Sequence, residues 1–484
     1  MSGGAEWLRA SGERATIRAP ADGSSVGDVR SATEGDVREA VAAARSALLT
    51  WARTPPHARA RILGDAAAAI EANAEELARL HARESGKVIA QARREVVGAA
   101  DLLRADATTG RFADGRVLPT GAVPGTEHDL AWVERVPLGV VACVIPFNFP
   151  VELTVVKAGA AIAAGNVAIV KPPPQNPLAT LRAVELLVEA GLPSGVLQAV
   201  PGGAQVGAAL CASPGVDAVS LTGSVGAGVA VARSTAHLLR PLHLELGGNG
   251  AAVVLDDADA DLVVAEVVRG RLLMNGQACA ATKRLVVVRS VADALVGRID
   301  EALARVRVGD PLDEASEVGP LIDEGAATRV EAQVRRAEEQ GAKRIRGSGR
   351  ARDAWFEPTL LTGVPPSSDV AVDDEIFGPV LAVIPVEDDE EAVEVVNRSR
   401  LGLTAAVFSG NTRRALAIAD RLAVGGVVIN GSNNYRPPVV PFGGVGMAGT
   451  GREGIGYTYE ELTRTRFTVL RGVRRPTGDA EVDR

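Results

Sequence analysis

Two long stretches of this chain alternate short β-branched runs with amphipathic segments, divided by brief Gly/Pro turns. That alternation constrains the fold more than any other feature. Strands linked through helices run parallel, and a parallel sheet has to be covered on both faces. In the first stretch WVERVPLGVVACVIP and NVAIVKP read as strands, PLATLRAVELLVEAG as a helix, GVLQAVPG as a strand, QVGAALCAS as a helix, VDAVSLTG as a strand and GAGVAVARSTA as a helix. A second series begins after Leu246-Gly247-Gly248 and runs from AAVVLDDAD to GGVVINGS. Ahead of both, residues 34 to 85 carry helical periodicity, broken at Pro55-Pro56 and stopped at Gly86, with a further helix over residues 89 to 107. The expected class is α/β with two alternating domains. At 484 residues the chain exceeds one ordinary core, since domains run to about 100–200 residues.

Composition excludes several functions. A net charge of −8 and a pI near 5.4 argue against a nucleic-acid partner. The longest weakly charged stretch, residues 138 to 156, is interrupted by Pro146, Asn148, Pro150 and Glu152, and reads as a buried strand and loop, not a membrane span. The N-terminal MSGGAEWLRASGERATIRAP has no apolar core of a signal peptide. Three cysteines, Cys143, Cys211 and Cys279, form no disulfide framework and fit a cytoplasmic protein. The five histidines show no metal-ligand spacing, so no metal is expected.

Cys279, in NGQACAATKR, stands where a Gly-containing turn meets a strand. It is either a small buried hydrophobe or an accessible nucleophile, which needs exposure and a lowered pKa. Cys143, in an apolar strand, and Cys211, on an amphipathic helix, suit the first reading. Glu245 closes the apolar run PLHLEL; it is an exposed strand end, or a base whose pKa apolar walls raise toward neutrality. Asn148, in IPFNFPVE, is a turn-former or a fixed amide donor for an oxyanion. Lys171 ends the strand NVAIV, at the carboxyl edge where open α/β sheets bind ligands, or it is a solvated lysine. LTGSVGAG presents Gly223, Ser224, Gly226 and Gly228 at the start of a helix, where bare N–H groups can meet a pyrophosphate; it is neither GxGxxG nor a P-loop.

In order, PFNFP, IVKP, TGS, ELGG, GQAC, EIFGP and PFGGVGMAGTGREG resemble the aldehyde dehydrogenase superfamily, over residues 15 to 470. The resemblance implies a Rossmann-type cofactor domain (residues 1–110 and 136–246), an α/β catalytic domain (247–438), and a small β oligomerisation arm with the C-terminal segment (111–135 and 439–475), before a mobile tail (476–484). It implies that Cys279 attacks an aldehyde, that Asn148 and the Cys279 N–H hold the oxyanion, and that Glu245 activates the hydrolytic water. Glu453 then resembles a second, proton-relaying carboxylate. The cofactor, NAD or NADP, would be held by Lys171, Ser224 and Glu375, with Pro146, Pro173, Gly223, Gly247 and Phe377 beside it. Members preferring NAD often carry Glu where this chain has Pro174, and KPPP followed by Gln175 is similar to the non-phosphorylating glyceraldehyde-3-phosphate dehydrogenase branch, so NADP is expected to be tolerated. Arg436 stands where the lactaldehyde and phosphonoacetaldehyde branches often have Arg. With Arg104 it would clamp an anionic group of a small aldehyde. Ala278 replaces a bulkier residue before the sulfur. A homodimer or homotetramer is the expected assembly. The alternatives are a CoA-acylating relative, which would lack Glu245, and a catalytically silent binding protein, which would have lost Cys279 or Glu245. A cofactor-free thiol hydrolase would need a matching His.

Overall fold

The computed structural model describes residues 7–112 and 115–473; the tail expected at 476–484 lies outside them. The first alternating series folds into a sheet in which Leu242–Glu245, Ala218–Thr222, Val140–Val144, Val167–Lys171 and Leu197–Ala199 lie side by side and parallel. Val140–Val144 pairs on one side with the strand that follows it in sequence and on the other with Ala218–Thr222. The strand order therefore reverses there, and the carboxyl ends of these two strands open a crevice. The second series forms a seven-stranded sheet, Lys343–Arg346, Thr359–Thr362, Val380–Val386, Arg284–Val288, Ala251–Val254, Thr404–Phe408 and Gly426–Ile429, with only the first strand antiparallel. Val140–Cys143, Val167–Val170 and Arg284–Val287 are buried residue after residue, as expected of strands covered on both faces.

The N-terminal helices pack against the first sheet as Glu34–Trp51, Pro56–Ala72, Ala74–Ser85 and Ile89–Arg111. A capping box of Thr33 and Asp36 starts the first. Gly86 ends the third at φ 77°, beside the Pro320 carbonyl, where a side chain would not fit. The second periodic stretch is two helices, broken at Asn73. Residues 150–163 are helical, with a π-turn at Val155–Gly159, although the stretch as far as residue 156 had read as a buried strand and loop. Pro150 opens that helix at its first turn, a position that needs no N–H.

An antiparallel arm of Arg116–Leu118, Leu130–Pro137 and Thr463–Leu470 stands apart from both sheets. The segment 439–462 does not belong to it, contrary to expectation. Val445–Gly446 pairs with Leu401–Gly402, Gly449–Thr450 extends the first sheet beside Leu242–Glu245, and Phe442 bridges Glu453. Backbone pairing to the first sheet on one side and to Leu401–Gly402, just ahead of a strand of the second, on the other holds this glycine-rich segment over the crevice. A two-stranded hairpin, Arg14–Arg18 with Ser25–Arg30, also had not been expected. No helix among the described residues is long and apolar enough to cross a membrane.

Candidate active site

One cavity of about 680 Å³ opens where the strand order reverses. Its walls include Asn148, Glu245, Cys279 and Glu453, brought from four distant segments, together with Ser224, Glu375, Phe377 and Arg436. Pro146, Pro173, Pro174, Gly223, Gly247 and Ala278 line it too. Lys171 is buried beside Gly207 and is not part of the lining. Among the described residues it makes no ion pair, and burial depresses its pKa to about 8.

Cys279 follows a tight turn in which Met274 (φ 51°) and Asn275 (φ 57°) are both left-handed. Cys279 is half-buried, whereas Cys143 and Cys211 are fully buried, as their strand and helix contexts suggested. Its thiol is not acidified, against expectation. Burial pushes it up to about 11, because the positive charges of Lys283 and Arg436 only partly offset desolvation. Lys283 donates to the carbonyls of Ala278 (2.9 Å) and Cys279 (2.5 Å) and pairs with Glu375 at 3.0 Å, so one buried cation fixes both the Cys279 loop and that carboxylate. The Glu375 carboxylate also accepts from the Gly248 N–H at 3.2 Å.

The Asn148 amide donates to the Gln277 carbonyl at 3.0 Å, which aligns it with the cysteine loop; its own oxygen has no partner among the described residues. Glu245 sits at the end of Leu242–Glu245 and is 2 % exposed, which removes the exposed strand-end alternative. Neither of its carboxylate oxygens has a hydrogen bond among the described residues. Burial, reinforced by the negative charge of Glu453, raises its pKa well above the usual carboxylate range. Glu453 behaves oppositely. Burial works against its ionisation too, but Lys157 at 2.7 Å and Arg436 at 2.6 Å outweigh it and hold the group down to about 2. Arg436 also stacks over Phe442, 4.1 Å from the ring centre.

Arg104 is not part of this site. It lies on the outer face of Ile89–Arg111, paired with Glu71 and with Asp101 (3.0 Å), because two neighbouring acids on the helical surface hold it there. Sequence reasoning missed Lys157, Lys283, Glu152 and Phe442. Lys157 was visible only as the charge ending an apolar stretch, and Lys283 only as the fourth residue after Cys279. Ser224 caps Val225–Thr235 by accepting from the Ala227 N–H at 3.2 Å, so the first turn of that helix faces the cavity. No group of three metal-ligating side chains occurs among the described residues.

A nucleotide fits this arrangement. Lys171 is a buried cation with no ion pair among the described residues, Gly223 and Ser224 line the cavity, and a helix N-terminus faces the cleft. Chemically, the site unites a thiol, an amide donor, a carboxyl of raised pKa and a helix N-terminus.

The chain is also similar to known proteins. Residues 7–468 match the family model described as the aldehyde dehydrogenase family. The chain is 37% identical over 445 residues to the 3-sulfolactaldehyde dehydrogenase of Priestia aryabhattai, covering 92% of each. It is 36% identical over 470 residues to the NADP-dependent glyceraldehyde-3-phosphate dehydrogenase of Triticum aestivum, covering 96% of this chain and 94% of the relative. Among solved structures, NADP-dependent glyceraldehyde-3-phosphate dehydrogenase from Bacillus halodurans C-125, complexed with NADP, superposes with a TM-score of 0.92 at 37% identity, over 96% of this chain and 97% of that one.

Proposed function

This chain belongs to the aldehyde dehydrogenase family, and on that premise we propose that it oxidises a small anionic aldehyde to the carboxylic acid with NAD or NADP. The observation that carries the reading is the convergence of Cys279, Asn148, Glu245 and Glu453 on one cavity that also contains Ser224 and Glu375. Lys171, the helix start at Ser224 and Glu375 would hold the dinucleotide, with Pro146, Pro173, Gly223, Gly247 and Phe377 beside it. A bound nicotinamide supplies the oxidising half of the chemistry.

The protein's own groups then divide the work. Sγ of Cys279 attacks the aldehyde carbon. Its raised pKa means that the proton has to leave as the bond forms, and ionised Glu245 is the base in the same cavity. The Asn148 amide and the Cys279 N–H receive the developing oxyanion. After oxidation the acyl group is a thioester on sulfur. Once Glu245 has released the thiol proton to solvent, it takes a proton from the attacking water and returns it to the departing Cys279 sulfur as the acid leaves. Ionised Glu453 keeps the Glu245 carboxyl basic, and Lys157 and Arg436 stabilise Glu453.

Arg436 is the guanidinium in the cavity, and with Arg104 outside it, a single arginine would meet the substrate anion. The relatives acting on 3-sulfolactaldehyde and glyceraldehyde-3-phosphate support an anionic substrate. Uncharged Pro174 on the cavity wall supports use of NADP, because no carboxylate from that position repels a 2′-phosphate. The arm would join subunits into a dimer or tetramer, in a cytoplasmic enzyme. The test is a panel of small aldehydes, with and without anionic groups, assayed against NAD and NADP with no CoA. Reduced nicotinamide and free acid from anionic members are expected, with a KM that rises for those members alone in Arg436→Ala. An unchanged KM for every anionic aldehyde removes the substrate reading.

A further inference from the structure

The segment between Gly86 and Glu95 touches both loops of the site without entering it. Gln91 and Glu95 lie one turn apart on Ile89–Arg111, so their side chains leave the same helix face. Gln91 accepts the Met274 N–H at 2.8 Å, at the first of the two left-handed residues ahead of Cys279. The second, Asn275, donates to the carbonyls of Gly86 and Pro320, both at 2.8 Å, and accepts from the Gly319 N–H at 2.8 Å. Non-glycine residues hold this conformation only when their surroundings over-determine it, and these four bonds do so.

Glu95 reaches the other loop. Its carboxylate accepts the N–H groups of Val151 (3.0 Å) and Glu152 (3.3 Å), at the start of the helix that directly follows Asn148. Its second oxygen meets Lys87 and, at 3.0 Å, His81, and all three side chains are buried. The Lys87 ammonium stands 3.7 Å above the ring of Phe149, the neighbour of Asn148. The two loops join where Asn148 donates to the Gln277 carbonyl.

We infer that Gln91 and Glu95 are positioning residues that set the distance between the Cys279 nucleophile and the Asn148 amide. The inference rests on the roles proposed for Cys279 and Asn148. Gln91 holds the strained turn that aims the sulfur, and Glu95, neutralised by Lys87, holds the helix start that aims the amide. Because one rigid helix carries both, the two loops keep their register.

The experiment follows the first burst of reduced cofactor in the full-length enzyme. Gln91→Leu is expected to slow the burst by about ten- to a hundredfold, the scale of a misplaced reacting group, while cofactor affinity by fluorescence titration is unchanged. Gln91→Glu keeps an acceptor for the Met274 N–H and is expected to restore most of the burst. The charge-neutral double variant Lys87→Met/Glu95→Met removes the buried ion pair together with the acceptor for the Val151 and Glu152 N–H groups, and is expected to show the same deficit with cofactor affinity unchanged. Combined with Asn148→Ala, Gln91→Leu is expected to cost far less than it does alone, since the alignment it protects has no partner left. An unchanged burst in Gln91→Leu, an equal loss of cofactor affinity, or full multiplication with Asn148→Ala would overturn the inference. Turnover by Cys279→Ala would instead remove the site reading beneath it.

Discussion

Glu245 and Glu453 line the same cavity, 2 % and 1 % exposed, yet burial leads to opposite results. Glu245 ends a strand, buried, and meets no cation at hydrogen-bond distance among the described residues, so burial and the charge of Glu453 raise its pKa well above the ordinary range. Glu453 sits on the glycine-rich segment, between the Lys157 ammonium and the Arg436 guanidinium, and stays ionised down to about pH 2. Depth alone does not decide the state of a buried carboxyl; its first charged neighbour does. The contrast separates a group that holds its proton above the ordinary carboxylate range from one that supplies a fixed negative charge.

The largest effect comes from taking away the step on which the two differ. Cys279→Ala is expected to lower turnover by about 10⁴-fold or more, with cofactor still bound; single-turnover absorbance and fluorescence titration check both parts. Glu245→Gln comes next. Thioester hydrolysis is expected to slow by about 10²–10³-fold while a burst of reduced cofactor persists. In the parent enzyme hydrolysis should rise with pH as Glu245 ionises, and the variant should lose that limb. If burst and hydrolysis fall together, Glu245 does not act chiefly on water.

Glu453→Gln tests the other side. Lys157 and Arg436 lose their shared counter-charge, and the expected cost is about 3–5 kcal/mol of stability, measured by denaturation at neutral pH. The linkage signs of the two acids are opposite. The depressed Glu453 contributes stability that is present above its unfolded value of 4.5 and is lost as pH falls toward 2. The Tm gap between Glu453→Gln and its parent should therefore close in acid. The raised Glu245 favours the fold below 4.5, and that contribution is lost as pH rises. The parent should thus lose ground to Glu245→Gln toward alkaline pH. Smallest of all, Arg104→Ala is expected to change stability by no more than about 0.5 kcal/mol and to leave KM unaltered, since its partners are solvent-exposed acids. A selective KM rise for anionic aldehydes would return Arg104 to the site.

Much of the alternating fold was legible because strands covered on both faces need unbroken β-branched runs, which VVACV, VAIV and RLVVV display. Short exposed strands such as Arg14–Arg18 and Lys343–Arg346 were not, because their arginine-rich, part-solvated sequences lack that mark. The helix from Pro150 was hidden by an apolar sequence that periodicity alone cannot tell from a buried strand.

By itself the sequence marked out the candidate residues: a cysteine outside any apolar run, a carboxyl at a strand end, an asparagine between aromatics, a lysine at a sheet's carboxyl edge. Those are local properties of side chain and neighbour. Only the tertiary structure decided what each does there. It carried residues 439–462 from the expected arm to the crevice, left Arg104 outside, set Lys157 and Arg436 on Glu453, and gave Glu245 no such partner among the described residues. Proton affinity and reach depend on charges folded in from hundreds of residues away, and no local pattern records them.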